Sequence, residues 1–243
     1  MTGTTQLHAR YVPSAPLLAL RIDFFMEHVE EVLLEGLSLR EIPLASDEAV
    51  LETDWNAERV GVDARHFVGQ GPLSRVAILR GTSFDGSFES VSILALPDPG
   101  RSAPIFFLEA LAIDNTWDAL LLDICCSSTE YPELRGLALE LQDSGDVLEH
   151  GLAPFASEAM IAVRGVVPED FSVDHTMARY LDSFVASLHG AGVRASRDEG
   201  RRLQRRFLEH GRKLWSKANN YEQLFGAAAL AYVPRVLFDP SVV

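Results

Sequence analysis

One acidic side chain lies in the middle of a stretch that is apolar on both faces, between Ala103 and Ile113. Such a stretch is typical of a central strand that is covered on two sides. An ionised Glu109 would lose much of its hydration there, so its carboxyl group must be paired, hydrogen-bonded or protonated. A protonated buried acid can donate a proton to a ligand, whereas a structural Glu would bond to a backbone amide or an Arg. The segment alone leaves both interpretations open.

The overall charge argues against a nucleic-acid-binding protein. The 243 residues include 35 acidic and 21 basic side chains, giving a net charge of −14, whereas phosphate binding needs a basic surface. The composition is that of a globular protein, with 47% apolar residues.

Motifs for common cofactors are absent from the sequence. It contains no Gly-x-Gly-x-x-Gly after a strand, no phosphate-loop Lys, no His-Glu-x-x-His and no Gly-x-Ser-x-Gly. The seven His residues are scattered, and the adjacent Cys125 and Cys126 cannot form a zinc site alone. A bound nucleotide, flavin or metal therefore has no support in the sequence. The two neighbouring thiols favour a reduced, cytoplasmic setting.

The apolar run Pro16–Leu34 does not predict membrane insertion. It lacks the cationic start and the unbroken apolar stretch of a signal peptide or a membrane span. The charged residues that interrupt it are Arg21, Asp23, Glu27, Glu30 and Glu31.

The apolar spacing predicts one helix and then a run of strands. The helix, Leu17–Glu35, follows a polar segment, Met1–Ser14, which we expect to fray. Pro43–Asn56 has the composition of a loop. The predicted strands are Val60–Val68, Arg75–Phe84, Ser87–Leu96, Pro104–Ile113 and Trp117–Ile124. Such consecutive antiparallel strands form a meander.

The second half is predicted to be mainly helical. The predicted elements are the helices Tyr131–Leu141, Phe171–His189, Arg197–Lys217 and Ala227–Leu237 and the strand Glu158–Arg164. The chain contains no repeat and no linker. We therefore predict an α/β fold in a single domain over residues 1–243, with a central antiparallel sheet flanked by helices on both faces.

Three segments, taken in order, resemble those of the ferredoxin-dependent bilin reductases and the red chlorophyll catabolite reductases. The segments are Ser92–Pro97 with Ala103–Glu109, Leu121–Ile124, and Ser216–Gly226 with Tyr232–Asp239. In the first, Pro104 precedes the acid by five residues, as in the family. The bilin reductases usually have Asp at the position of Glu109, and the chlorophyll-catabolite branch has Glu. Asp123 matches the family's structural Asp.

The resemblance implies an α/β/α sandwich that holds a linear tetrapyrrole between the sheet and the C-terminal helices. Members of the family take single electrons from ferredoxin without a tightly bound cofactor, and protein acids protonate the resulting bilin radicals. On this basis Glu109 is the expected catalytic proton donor. An added electron makes a conjugated pyrrole system more basic, and a desolvated acid of raised pKa can then supply the proton.

Several positions depart from the family pattern. Ser92 stands where many bilin reductases have a His, Arg80 where they have a Glu, and Ser216 where a second acid precedes the Phe-Gly pair. Ser216 cannot supply an acidic proton at neutral pH, so Glu109 is the only family acid retained. A two-residue turn at Asp85-Gly86 would also place Arg80 and Ser92 on opposite faces of the sheet.

Other positions are candidate ligand contacts by resemblance. Lys217 falls on a cation that binds a bilin propionate in some members, although a solvated Lys at a helix end has the same sequence signature. Asn219 can hydrogen-bond a lactam group or simply end the helix. Together with Ser92, Arg80 and Ser216, these residues form the predicted substrate-binding set. Asp174 and Asp114 are candidates for the missing second acid.

The predicted helix near the C-terminus is basic within an acidic protein. From Arg194 to Lys217 there are nine basic and three acidic residues. A solvated helix face explains such a run, and so does a docking surface that steers an acidic ferredoxin towards the ligand. The residues of this candidate docking surface are Arg201, Arg202, Arg205 and Arg206.

Three functions are compatible with these observations. The first is a reductase of a linear tetrapyrrole that uses ferredoxin as electron donor and Glu109 as proton donor. The second is a bilin-binding protein without catalytic activity, which the missing second acid favours. The third is a reductase of the same fold that acts on a different conjugated substrate.

Overall fold

The computed structural model describes most of the chain. The described residues are 17–45, 49–55, 58–83, 86–113, 116–127, 130–166, 173–217 and 227–242. Asn219 and Asp114, both singled out from the sequence, lie outside these ranges, as does the Met1–Ser14 segment.

The described residues contain five α-helices and nine strands. The helices are α1 Leu17–His28, which continues as a π-helical segment Val29–Glu35, α2 Pro132–Ser144, α3 Val173–Gly190, α4 Arg197–Trp215 and α5 Ala227–Leu237. The strands are β1 Arg40–Ile42, β2 Val50–Trp55, β3 Glu58–Val68, β4 Leu73–Ser83, β5 Phe88–Pro97, β6 Ile105–Ile113, β7 Thr116–Cys125, β8 Asp146–Val147 and β9 Ile161–Arg164.

The nine strands form one antiparallel sheet. Its order is β1-β3-β4-β5-β6-β7-β9-β8, and β2 also pairs with β3. The predicted meander is confirmed over β3–β7. The prediction of a loop over Pro43–Asn56 is wrong, because Val50–Trp55 forms β2 and pairs along most of β3. Three of these six residues, Glu52, Thr53 and Asp54, are polar, which hides a strand from a search for apolar alternation.

The β4–β5 hairpin has the register that a turn at Asp85-Gly86 requires. Thr82 pairs with Glu89, and Gly86 has a φ of +73°, a conformation that suits glycine. Farther from the turn, Leu79 is opposite Ser92 and Arg80 is opposite Val91. Since alternate residues point to opposite faces, Arg80 and Ser92 lie on different faces of the sheet.

Helices cover both faces of the sheet and divide the core in two. One face packs against α1, α2 and α3, through side chains such as Phe106 of β6 and Phe184 of α3. The other face packs against α4 and α5, through side chains such as Phe107 of β6 and Phe207 of α4. The predicted α/β/α sandwich is therefore confirmed.

The helix α5 is fixed to the sheet near its C-terminal end. The buried guanidinium of Arg75 donates a hydrogen bond of 2.7 Å to the carbonyl oxygen of Val236. Nε2 of His66 lies 2.9 Å from the same carbonyl oxygen. Both donors satisfy a carbonyl that has no partner within the last turn of a helix.

Candidate functional site

The strand β6 positions Glu109 on the face that α4 and α5 cover. Successive side chains of a strand point to opposite faces, so Phe107, Glu109 and Leu111 all point towards these two helices. Phe107 and Leu111 are buried, whereas Glu109 is partly exposed. The exposure arises because the sheet and the helices do not close over the carboxyl group, and a cavity remains there.

The cavity has a volume of about 300 Å³, at the lower end of the range for small-molecule sites. Three parts of the chain form its walls: the strands β6 and β7, the loop Leu148–Gly151 after β8, and the last residues of α4. The lining residues are Glu109, Ala119, Leu121, Leu148, Glu149, His150, Gly151, Leu214 and Trp215. Its walls are therefore largely apolar, with a few convergent polar groups.

The carboxyl group of Glu109 is held by an indole. Nε1–H of Trp215 donates a hydrogen bond of 2.9 Å to Oε2 of Glu109. The indole itself packs against Phe107 and Phe238, with ring centroids 5.4 and 4.9 Å away, so its orientation is fixed by the aromatic core. Trp215 was not identified from the sequence, because nothing in the residues near it indicates contact with β6, 106 positions earlier.

Burial changes the protonation of Glu109 at physiological pH. Burial raises the pKa of Glu109 to about 7, and the hydrogen bond from Trp215 opposes part of this rise because it favours the ionised form. Protonated and ionised forms are therefore both populated near neutrality. A carboxyl group in this state can donate a proton to a molecule in the cavity and take one back from water.

Ser92 is the direct neighbour of Glu109 in the sheet. The two residues are paired across β5 and β6, and both side chains point towards α4 and α5. Ser92 has no exposed surface and does not line the cavity, so it lies behind the acid rather than in contact with the open space.

Arg80 is not brought to the cavity. It lies on the opposite face of the sheet, where its guanidinium pairs with Asp23 of α1. This position gives no support to the substrate-binding role that the sequence alignment suggested, and it follows from the hairpin register.

Ser216 and Lys217 follow α4 directly and are both exposed. The hydroxyl of Ser216 donates a hydrogen bond of 3.2 Å to the carbonyl oxygen of Lys213. Neither residue lines the cavity, although Trp215 beside them does. Their predicted ligand contacts, like that of Asn219, stay predictions.

The four arginines of the candidate docking surface are all exposed along α4. Arg201 lies 3.5 Å from Asp198 in an exposed ion pair, which contributes little to the stability of the fold. The opposite side of the helix buries Phe207, Leu208 and Trp215 against the sheet. The same helix therefore presents positive charge to solvent and ends at Trp215, beside Glu109.

Asp123, which the resemblance matches to a structural Asp, is held by hydrogen bonds in the interior. Asp123 of β7 is fully buried, and its carboxylate accepts hydrogen bonds from the backbone N–H of Ser157, at 2.9 Å, and from the Ser157 hydroxyl. Burial raises the pKa of Asp123, and the bonds from Ser157 oppose the rise. These contacts tie β7 to the segment that leads into β9.

A larger cavity, of about 520 Å³, lies elsewhere, near the C-terminal end of α3. Its lining includes Arg194 and Cys126, and Nε–H of Arg194 donates to the carbonyl oxygen of Arg101 at 2.7 Å. Burial raises the pKa of Cys126 to about 12, so its thiol stays protonated and unreactive. The smaller cavity is the better candidate, since Glu109 and His150 both line it.

Within the described residues, no group of three or more His, Cys, Asp or Glu side chains is arranged to hold a metal ion. The same part of the chain contains no helix with the length and apolar character that a membrane crossing requires.

The comparisons with known proteins place the chain by its fold. It matches no protein-family model and no curated protein. Among solved structures it is similar to the crystal structure of phytochromobilin synthase from tomato in complex with biliverdin, with a TM-score of 0.65 and 15% sequence identity. The match covers 91% of this chain and 83% of that chain. At this identity the likeness shows a shared fold, and at that level it supports the resemblance seen in the sequence.

Proposed function

We propose that this protein binds a linear tetrapyrrole in the Glu109 cavity and reduces it with single electrons from a ferredoxin. The fold is shared with a phytochromobilin synthase that was crystallised with biliverdin. The motifs around Glu109, Asp123 and Ser216 resemble those of the ferredoxin-dependent bilin reductases. A bilin is therefore the first substrate class to test.

The observation that carries the proposal is the environment of Glu109. Its carboxyl group faces the cavity from the interior of the sheet, is held by Trp215, and has a pKa of about 7. An electron added to a conjugated pyrrole system creates a basic radical anion. The protonated Glu109 gives its proton to this radical, becomes a carboxylate, and is protonated again from water.

The rest of the cavity offers mainly apolar contacts to a guest. Ala119, Leu121 and Leu214 provide apolar contacts, and the indole edge of Trp215 lies beside the acid. Exclusion of water strengthens the hydrogen bonds that orient the guest. The guest's reacting carbon is then held close to one proton donor, which directs where protonation occurs.

The electrons enter from a partner protein that approaches α4. Exposed Arg201, Arg202, Arg205 and Arg206 give this helix a positive surface within a protein whose net charge is −14. Such a surface attracts an acidic electron carrier and orients it towards the ligand, since the same helix ends at Trp215.

One observation favours a second function, that of a bilin-binding protein without catalytic activity. The family's second acid is replaced by Ser216, whose hydroxyl is exposed and bonded to the carbonyl oxygen of Lys213. A hydroxyl of ordinary pKa does not protonate a reduced bilin at neutral pH. A carrier would need the cavity but not the second proton.

One anaerobic experiment separates these functions. Purified protein is mixed with biliverdin, ferredoxin, ferredoxin–NADP reductase and NADPH, and the absorption spectrum is followed. The proposed reductase gives first a bound-state spectrum and then loss of the biliverdin bands. E109Q should retain binding and lose turnover.

The alternative outcomes are distinct. A spectral shift on binding with no later change, in the wild type, supports the carrier. Failure of biliverdin and other linear tetrapyrroles to bind rejects both functions and favours the same fold acting on another conjugated substrate. Turnover of E109Q at the wild-type rate rejects the role of Glu109.

A further inference from the structure

His150 lines the same cavity as Glu109, on a loop that the sequence did not single out. The loop is held at both ends: the backbone N–H of Leu148 donates to the carbonyl oxygen of Ala162 at 2.8 Å, and Nε2 of His210 lies 2.6 Å from the carbonyl oxygen of Gly151. The position of His150 is thus set by the strand β9 on one side and by α4 on the other.

Close packing of the loop against α4 adds to this constraint. A Cβ atom at Gly151 would lie 2.3 Å from Cδ2 of Leu214, so any larger residue would force the Leu214 side chain to move. Leu214 immediately precedes Trp215, which binds Glu109. The imidazole and the carboxyl group therefore face one space from different walls, both fixed by the end of α4.

The buried ring nitrogen Nδ1 of His150 has no hydrogen-bond partner among the described residues. Buried polar side-chain atoms nearly always have a partner, so an unpaired nitrogen in a side chain that lines a cavity points to a partner that comes from outside the chain. Burial lowers the pKa of His150, against the opposing charge of Asp123, so the imidazole is neutral near pH 7. It can then accept or donate one hydrogen bond at Nδ1.

We propose that His150 contacts the guest directly and is the second proton-exchanging group of the cavity, together with Glu109. This inference rests on the proposed function, because it assigns the second proton of the same reduction. It supplies the group that Ser216 cannot provide.

The proposed reduction consumes two electrons and two protons. The first electron from ferredoxin gives the bilin radical anion, which takes a proton from Glu109 and leaves a carboxylate. Across the cavity, the negative charge of the Glu109 carboxylate raises the pKa of His150. The imidazole therefore takes a proton from water. The second electron reduces the neutral radical, which takes this proton from the imidazolium. Glu109 is then protonated again from solvent, and the bilin has gained two hydrogen atoms.

Four other titratable side chains lie around the His150 imidazole. Glu109 faces it across the cavity and Asp123 acts on it from β7. Glu149 is its exposed neighbour in the loop, and His210 of α4 contacts the carbonyl oxygen of the next residue. Of these, Glu109 is the one whose charge changes during the proposed reaction.

The first test compares H150Q with wild type and with H175Q, a control at an exposed His on the far side of the sheet. Gln keeps hydrogen-bonding capacity but cannot carry the proton. We expect H150Q to bind biliverdin within about threefold of wild type and to form the two-electron product about a hundredfold more slowly. A bilin radical should accumulate and be visible by electron paramagnetic resonance.

The second test needs no turnover. The ¹⁵N signals of the His150 ring are titrated in wild type and in E109Q, without ligand. Loss of the carboxylate should lower the pKa of His150, because a negative charge that favours the imidazolium has been removed.

The outcomes separate this inference from the proposed function. A coupled titration with no reduction of biliverdin by the wild type overturns the reductase and supports the Glu109–His150 pair. An identical His150 titration in both proteins overturns the pair. So does an H150Q variant that is correctly folded by circular dichroism and forms product at the wild-type rate.

Discussion

The indole N–H of Trp215 donates a hydrogen bond of 2.9 Å to Oε2 of Glu109, and so joins the end of α4 to the middle of the sheet. This contact links Glu109 to the helix that carries the exposed arginines. It makes the protonation of Glu109 depend on the position of α4.

Replacing Trp215 with Phe should raise the pKa of Glu109 above its value of about 7. The lost hydrogen bond favoured the ionised carboxylate, so its removal favours the protonated form by about one pH unit. ¹³C NMR titration of labelled Glu side chains measures the change, with E109Q identifying the signal. W117F is the matched control, since Trp117 is buried on the other face and its indole N–H has no partner in the part of the chain that the structure describes. An unchanged titration in W215F would contradict the prediction.

The stability of the wild type relative to E109Q should fall as the pH rises. Between the ordinary pKa of 4.5 and the folded-state value of about 7, the folded protein holds a proton that the unfolded chain has lost. The free energy of unfolding therefore decreases progressively over this range. The total decrease is about 3 kcal/mol once Glu109 is ionised in both the folded and the unfolded state. Urea unfolding at pH 5, 6, 7 and 8 measures the difference between the two proteins. Parallel pH profiles would show that burial does not raise this pKa.

Replacing Gly200 with Ala should destabilise the packing of α4 on the sheet. A Cβ atom there would lie 2.0 Å from the carbonyl oxygen of Pro99, a backbone atom that cannot rotate away. We expect a loss of roughly 1–3 kcal/mol in the free energy of unfolding. G136A in α2 is the control: its Cβ meets open space, so the helix should gain up to about 1 kcal/mol. Equal effects of the two substitutions would contradict the close approach of α4.

Replacing Arg201, Arg202, Arg205 and Arg206 with Gln should slow ferredoxin-dependent reduction at low salt and leave biliverdin affinity unchanged. The arginines are exposed, so their charges act on the approach of the partner and not on the cavity. The double variant R205Q/R206Q is compared with R135Q/R179Q, which removes the same charge from α2 and α3. Stopped-flow reduction at increasing ionic strength measures the effect. Equal rates for the two double variants at low salt would reject docking on α4.

The sequence predicts the sheet better than the site. Alternation and turn chemistry are local, so the strands β3–β7, the β4–β5 register and the covered face of Glu109 all follow from short segments. The short strand β2 is missed because half of its residues are polar. Arg80 is a candidate by resemblance alone, and the register places it on the face of the sheet opposite Glu109.

The remaining site residues come from distant parts of the chain. Trp215 reaches Glu109 through the packing of α4, and His150 reaches the cavity through the packing of the loop after β8, and no local pattern encodes either position. His150 is one of seven scattered histidines. The adjacent Gly151, whose missing side chain leaves room for Leu214, is a local feature that indicates close packing of that loop.

The interior position of β6 also decides how firmly the backbone of Glu109 is held. Hydrogen-bonded strands flank Glu109 on both sides, so its backbone amide exchanges with solvent only when the sheet itself opens. The Leu148–Gly151 wall of the cavity, by contrast, belongs to no strand or helix and is held by the contacts of Leu148 with Ala162 and of Gly151 with His210. The carboxyl group is therefore carried by one of the most protected stretches of backbone in the fold, and its orientation does not depend on the fluctuations of a surface loop.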